Sequence, residues 1–304
     1  MVKSKTLKHQ RRKKRSKLYT RKNKHTSFKK LKCAPKLDNT LDFTCYTSDK
    51  LDKLRKLWNA RHPDRAIYSN DPQFIWDHLK QSIGNACNTE SCWLKQNFVK
   101  NKLDSNLLNY TFAPTSPKEW NVNPTEWLSS IDIADVMKQY ENIYTNFEFI
   151  GPSPINFDTH KMYGECVWEE LCNFNLQHYI KEGKNKIGVV FNLDPDYKEG
   201  SHWVALFINI KTEQIMFFCS YGDKPHRQII KFMNKVKKQG KELGLSFKKI
   251  INNKRHQYTD GECGMYCLYF IISLIKTNNI NKFNKRIHDD KMIKLRKHYF
   301  NKHK

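Results

Sequence analysis

The most apolar segment of the chain, residues 263–276, constrains the fold more than any other feature. Its apolar residues occur on nearly every side of a helix: Met265, Leu268, Tyr269, Ile271, Ile272 and Ile275. A helix that is apolar nearly all round has no face for water, so we expect it in the core of a domain. The chain has 304 residues, which is long enough to surround such a helix with a sizeable core.

Apolar runs before this helix predict a sheet. Residues 187–193, 203–210, 215–219 and 245–251 read as strands, and the run at 203–210 is apolar enough to be covered on both faces. A helix that begins at Pro225 lies between the third and fourth of these strands. The sequence therefore predicts an α+β fold, in which a central mixed sheet packs on the core helix that carries Cys263.

Charge and composition divide the rest of the chain. Of the formal net charge of +25, fifteen Lys and Arg lie between Met1 and Lys32, with no Asp or Glu among them. Such a segment cannot bury enough apolar area to offset its ordering, so we predict a disordered basic arm over residues 1–40. A Leu- and Trp-rich helical accessory region over 41–110 and a catalytic domain over 111–304 follow. The arm favours contact with nucleic acid or another polyanion over a purely solubilising role.

The nine cysteines favour free thiols. Their number is odd, the N-terminus lacks the apolar segment of a secretory signal, and a reduced, intracellular setting fits better than a disulfide framework. Cys87 and Cys92 have no second Cys or His pair at zinc-finger spacing, so we expect no metal and no cofactor. No apolar run approaches the length of a membrane span, and no membrane partner is expected.

The core helix opens with Cys263, which stands between Gly261 and Gly264. A helix N-terminus stabilises negative charge and lowers the pKa of a thiol, which favours the reactive thiolate. Gly264 gives a substrate backbone room to approach, and free N–H groups in the first turn can face an oxyanion. A buried structural thiol is the common alternative, but it fits Cys267, one turn deeper, better than Cys263.

Two further side chains complete a candidate site. His202 lies where a polar loop enters the predicted strand 203–210, so the sheet would hold its ring beside a surface crevice; the alternative is a histidine that only caps the strand. Trp203 could shield that ring from water. Gln257 precedes Cys263 by six residues in a turn-like stretch, where a neutral amide could stabilise an oxyanion without quenching the base.

Three segments carry a family resemblance: SHWVALFINI, FFCSYGDKP and HQYTDGECGMYCLYF. They resemble the SUMO-specific proteases and the adenovirus endopeptidase. The tail RIHDDKMIKLRKHYF and the short ESCW segment are similar to the viral branch, which includes the polyprotein-processing protease of African swine fever virus and its giant-virus relatives. The resemblance is strong over residues 187–270 and does not include the basic arm.

The resemblance implies a role for each matching residue. His202 matches the general base, Cys263 the nucleophile and Gln257 the donor to the oxyanion. Trp203 would either line a narrow substrate channel or belong to the core. The family's Asp or Asn, which orients the imidazole, aligns with Cys219, a poor hydrogen-bond acceptor. Either a Cys–His dyad suffices, because a thiolate–imidazolium pair is already nucleophilic, or Asp223 (or Ser220) reaches in from the following turn.

The implied function is a cysteine endopeptidase that cleaves after small residues, of the Gly-Gly-X type, in viral structural precursor polyproteins. It would act in the virion and in the host cytoplasm, at the viral factory. Three alternatives stay open. The enzyme could remove ubiquitin-like modifiers from host proteins, the chain could be a catalytically degenerate basic scaffold that binds nucleic acid, or Cys166, which precedes His202, could be the nucleophile.

A deletion tests the role of the arm. Removing residues 1–32 should weaken DNA binding, and the loss should shrink as salt rises because phosphate contacts are screened. Peptide turnover should stay unchanged. Binding is measured by fluorescence anisotropy at several salt concentrations, and a parallel loss of turnover would place the arm in the catalytic machinery.

Overall fold

A computed structural model of the chain describes residues 28–36 and 41–303. Its helices are α1 Ser48–Arg61, α2 Pro72–Ile83, α3 Glu90–Trp93, α4 Ser105–Asn109, α5 Ser130–Ile143, α6 Glu169–Cys172, α7 Leu176–Lys181, α8 Arg227–Glu242, α9 Cys263–Thr277 and α10 Asp289–Tyr299. Its strands are β1 Phe147–Pro154, β2 Lys186–Asn192, β3 Trp203–Asn209, β4 Gln214–Phe218 and β5 Lys248–Ile251. Most of the predicted basic arm lies outside the described residues. No helix among those described is both long and apolar enough to span a bilayer.

The five strands form one mixed sheet in the order β1-β2-β3-β4-β5. Strands β2, β3 and β4 are antiparallel neighbours, while β1 and β5 pair in parallel at the two edges. Helices α5, α9 and α10 pack against one face and α8 against the other, so every residue of β3 is buried. The predicted mixed sheet with a core helix is confirmed.

Strand β1 was not predicted from the sequence. Its residues FEFIGPSP contain Gly151 and Pro152, which break the alternation of a strand, and its register with β2 shifts between Ile150 and Ser153. Proline donates no ladder hydrogen bond, so it is tolerated only where the strand needs no further partner on that side. An edge position parallel to β2 satisfies this condition.

The segment 28–36, which was predicted to belong to the disordered arm, packs on the folded chain. The side chain of Asn301 accepts from the Lys32 N–H at 2.7 Å and donates to the Lys32 carbonyl at 3.0 Å. The Ala113 N–H also donates to the Lys32 carbonyl, at 3.0 Å. The segment thus packs on the folded chain because residues 111–113 form an antiparallel bridge with it and the Asn301 amide adds two further hydrogen bonds.

Six cysteines form three disulfides: Cys33–Cys45, Cys87–Cys92 and Cys166–Cys172. Cys219, Cys263 and Cys267 are free and buried. The expectation of a chain without disulfides is therefore wrong for six of the nine. The partners are only 12, 5 and 6 residues apart, so local turns bring them together at little cost in chain entropy.

A buried ion pair joins helix α10 to the loop before α9. The Arg296 Nε donates to both carboxylate oxygens of Glu262 at 3.0 Å, and the two side chains are 3% and 1% exposed. The same guanidinium donates to the carbonyls of Gly261, Thr125 and Glu126. One side chain therefore fixes both the loop that leads to Cys263 and the linker that lies beside it.

Glu262→Ala tests this anchor. The change leaves Arg296 buried without its counter-charge, which should lower the free energy of unfolding by about 3–5 kcal/mol. The matched control is Lys53→Ala, which removes the exposed Lys53–Asp104 pair and should cost about 0–1 kcal/mol. Urea unfolding measures the free energy of unfolding of both variants. Equal losses would contradict a stabilising role for the buried Glu262–Arg296 pair.

Candidate active site

The candidate residues meet at one edge of the sheet. His202 immediately precedes β3 and Cys219 immediately follows β4; because these strands are antiparallel, the two residues lie at the same end of the sheet. Helix α9 packs on β3 and begins with Cys263 at that end. The ends of two strands and the start of a helix, which are far apart in the sequence, thus supply the three side chains.

Cys263 sits in a nearly closed environment, with 3% of its surface exposed. Burial raises the pKa of its thiol to about 11, although the N–H groups of Trp203, Gly264 and Cys263 itself hydrogen-bond the sulfur and lower it. The expected lowering of the pKa by the helix start is therefore present but outweighed by loss of solvent. At neutral pH the resting group is the thiol.

The imidazole of His202 is also kept neutral. Its Nε2 lies 3.4 Å from Cys219 Sγ, and its ring stacks on Tyr221 with 4.8 Å between centroids and 20° between planes. Burial lowers the pKa of His202 to about 4, while the charge of Asp223 opposes this. Since Nε2 faces Cys219, Nδ1 is the nitrogen left to exchange a proton with another group.

The position of the family's acid is occupied by a thiol with a carboxylate behind it. Cys219 Sγ lies 3.8 Å from Asp223 Oδ2. Burial raises the pKa of Cys219, so the thiol keeps its hydrogen and can donate it to Asp223 while its sulfur accepts from His202. Asp223 thus reaches the imidazole through Cys219. Ser220, the other candidate, donates instead to Gln257 Oε1 at 2.7 Å.

Gln257 is held beside the site with 1% of its surface exposed. Its Nε2 donates to the Thr259 carbonyl at 2.7 Å and to the Tyr221 hydroxyl at 3.3 Å. The sequence analysis did not single out Tyr221. Its position two residues after Cys219, in one of the segments that carry the family resemblance, is the signal that was available.

Trp203 and the linker before α5 pack beside Gly264, the residue that follows Cys263. The Trp203 Nε1 donates to the Leu128 carbonyl at 3.0 Å, and a Cβ added to Gly264 would lie 3.1 Å from Leu128 and 3.4 Å from Trp203. Gly261 has φ +91°, and a Cβ there would lie 2.2 Å from the Thr125 carbonyl oxygen, so only glycine fits. Close packing therefore requires glycine at position 261. At Gly264, Leu128 and Trp203 occupy the space that the sequence analysis had assigned to a substrate backbone.

The rival nucleophile, Cys166, is not a free thiol. It is bonded to Cys172, and its sulfur lies 3.7 Å from His160 Nε2 in a short hairpin. His160, Cys166 and Cys172 are the one group among residues 28–36 and 41–303 with three metal-ligand atoms close together, within 4.8 Å. Because the two sulfurs are bonded to each other, this group offers no pair of thiolates to a metal.

A thiol at the start of a core helix and an imidazole at the same end of the sheet are the two groups that a cysteine protease needs to attack a peptide carbonyl. Residues 183–304 match the family model described as the Ulp1 protease family, C-terminal catalytic domain. This match, together with the viral relatives that are named as thiol or cysteine proteases, identifies the chain as a cysteine protease and agrees with the resemblance noted in the sequence.

Viral proteases are similar to most of the chain. A protein of Acanthamoeba polyphaga mimivirus, named as a thiol protease, is 29% identical over 267 residues, which covers 80% of this chain and 84% of the relative. A cysteine protease of African swine fever virus is 29% identical over 238 residues, which covers 73% and 85%. A crystal structure of the protease from that virus superposes with a TM-score of 0.60 at 25% identity, covering 88% of this chain and 95% of the other.

The protonation of the resting pair can be tested by alkylation. With pKa values of about 11 for Cys263 and about 4 for His202, the rate of Cys263 alkylation by iodoacetamide should climb steadily from about pH 6 to pH 9. Mass spectrometry of the peptide that contains Cys263 measures the rate, with Cys263→Ser giving the background from other thiols. A plateau that begins near pH 5 would instead reveal a thiolate–imidazolium pair.

Proposed function

We propose that this protease is an endopeptidase that cleaves after small residues, of the Gly-Gly-X type, in viral structural precursor polyproteins. The observation that carries this proposal is the burial of Cys263 beside Gly264, where Trp203 and Leu128 pack closely. A carbonyl can reach a thiol that is 3% exposed only if the residues before it bring little side chain into the cleft. Glycine meets that condition best.

The catalytic cycle uses the geometry of the site. The His202 Nδ1 takes the proton of the Cys263 thiol as its sulfur attacks the carbonyl carbon. The Cys263 N–H and the Gln257 side-chain amide stabilise the oxyanion. His202 then gives the proton to the leaving amine. Water, deprotonated by His202, hydrolyses the thioester and regenerates the thiol. Cys219, with Asp223 behind it, holds the imidazole in orientation throughout.

The setting that we propose is the virion and the viral factory in the host cytoplasm. Similarity to two viral proteases over most of the chain supports a viral polypeptide substrate. The excess of fifteen basic residues before position 33 supports a tether to nucleic acid, which would confine the search for substrate to the particle. Hydrolysis of a ubiquitin-like modifier conjugate in the same assay would instead favour the isopeptidase alternative.

Turnover of a Gly-Gly-X peptide library tests the proposal directly. The wild-type protein should cleave after the second glycine, and replacing that glycine by phenylalanine should abolish cleavage. Cys263→Ser should lower kcat by about 10⁴-fold or more, because the nucleophile is lost. The matched control, Cys166→Ser, should keep full activity. Activity that survives in Cys263→Ser but not in Cys166→Ser would select the rival nucleophile.

A further inference from the structure

A row of stacked side chains leads from the candidate base to the protein surface. The ring of His202 stacks on Tyr221, with 4.8 Å between centroids, and the guanidinium of Arg255 lies 5.5 Å from the centre of the Tyr221 ring. The same guanidinium lies 4.6 Å from the centre of the Tyr258 ring, and the guanidinium of Arg286 lies 4.0 Å from that centre. We call Tyr221, Arg255, Tyr258 and Arg286 the guanidinium row.

The outer part of the guanidinium row is open to solvent. Arg255, Tyr258 and Arg286 are all exposed, whereas Tyr221 at the inner end is only partly exposed. Arginine and tyrosine are the side chains that, with tryptophan, most often carry the binding energy of an interface. The row is therefore accessible to a partner along most of its length.

The positive charge of the row is not neutralised by the chain itself. Among the residues that the structure describes, Arg255 belongs to no ion pair. Arg286 lies 3.9 Å from Asp289 Oδ2, an oxygen that already accepts from the Tyr258 N–H at 3.1 Å. Because both guanidiniums contact one ring, they lie within about 9 Å of each other, a distance over which salt screens charges incompletely. Two neighbouring cations with one distant acid attract a further anion.

The guanidiniums of the row are prepared to bind a carboxylate. A guanidinium that stacks on an aromatic ring keeps its N–H groups at its edge, so it can stack and hold an acid at the same time. The Arg255 Nε donates to the Gln257 carbonyl at 3.0 Å, which fixes the direction of the side chain without using its Nη groups. Since contacts within the protein already orient both arginines, binding costs less side-chain entropy.

The row lies within reach of a bound substrate. His202 must lie beside the scissile bond to give a proton to the leaving amine. Its contact with Tyr221, and that of Tyr221 with Arg255, place the Arg255 guanidinium within about 10 Å of the imidazole, the length of about three extended residues. Burial raises the pKa of Tyr221 most, followed by the charges of Cys263 and Asp260, so Asp260 lies near the inner end of the row. An acid next to the scissile bond would therefore meet a carboxylate, whereas an acid about three residues away would meet Arg255.

A basic hollow adjoins the outer end of the row. This cavity of about 440 Å³ is lined by Arg286, Ile287, His288, Asp290, Lys291 and Lys294. Its lining holds three side chains that are cationic at neutral pH and one carboxylate. A substrate segment with more than one acidic residue would thus find positive charge beyond Arg286 as well.

We propose that the guanidinium row binds acidic side chains of the substrate about three residues from the scissile bond. The proposal rests on the proposed protease function and adds an acidic flanking segment to its Gly-Gly-X substrate. The carboxylates accept hydrogen bonds from the Nη groups of Arg255 and Arg286, and no covalent bond changes. A peptide is favoured over a nucleic acid as the ligand, because the row begins at the imidazole beside which the peptide chain must lie.

Paired Gly-Gly-X peptides test this preference. In one pair, two Glu or two Gln residues stand about three positions before the scissile bond, and in the other pair they stand about three positions after it. At low salt, the wild-type protein should cleave the Glu peptide of one pair with a kcat/KM about fivefold above that of its Gln partner, mainly through a lower KM. At about 0.5 M salt the ratio should approach one, because the row is exposed and its charges are screened.

Charge reversal assigns the preference to the row. Arg255→Glu and Arg286→Glu should each abolish the preference for Glu and favour peptides with Lys at the same positions, because the sign of the site is reversed. Misfolding cannot explain such a reversal, since it improves the cleavage of no peptide. The matched control is Arg65→Glu, which makes the same change in net charge at an exposed residue between α1 and α2 and should keep the wild-type ratio.

Three results would overturn the proposal. The first is equal cleavage of Glu and Gln peptides by the wild-type protein, and the second is a Glu preference of the same size in Arg286→Glu and Arg65→Glu, which overall net charge would explain. The third is a loss of DNA binding in Arg255→Glu and Arg286→Glu with unchanged peptide preference, which would assign the row to nucleic acid. If the wild-type protein cleaves the Gln peptides, such a failure concerns the row alone; no cleavage of any peptide would overturn the proposed function as well.

Discussion

The Arg296–Glu262 pair is the interaction on which the catalytic geometry depends. Removing two charges from water is costly, and the structure offsets this cost by giving the guanidinium acceptors on every side: a bidentate carboxylate and three backbone carbonyls. Glu262 is adjacent to Cys263, so its position sets where α9 begins. The start of α9, and with it Cys263, is thus held in position by a residue of α10.

Solvent exclusion determines the electrostatics of the site. A helix start and three N–H groups favour the Cys263 thiolate, yet burial dominates and the pKa rises; the same burial lowers the pKa of His202. Both groups rest uncharged, and the proposed catalytic cycle accordingly begins with the transfer of a proton from Cys263 to His202. This arrangement fits a cleft in which a thiol, Cys219, replaces the carboxylate that would otherwise favour an imidazolium.

Short sequence patterns predicted the elements whose structure depends mainly on residues close together in the chain. The apolar periodicity of α9, the continuous apolar run of β3 and the Gly-rich approach to Cys263 predicted the core helix and the sheet, and both were found. The site roles of His202 and Cys263 stay predictions, although the fold brings both residues to one edge. Strand β1 was missed because Gly151 and Pro152 mask its alternation. Tyr221 was missed because its contact with Gln257 spans 36 residues, which no short window can show.

Arg296 follows Glu262 and Cys263 in the chain, so it is synthesised after the residues that it holds in place. Glu262 and Cys263 leave the ribosome 34 and 33 residues before the arginine that completes their surroundings. Until then the carboxylate has no buried counter-ion, and the most favourable state of the loop is a hydrated one. A nascent chain therefore carries Cys263 before the residue that fixes the preceding loop has been synthesised.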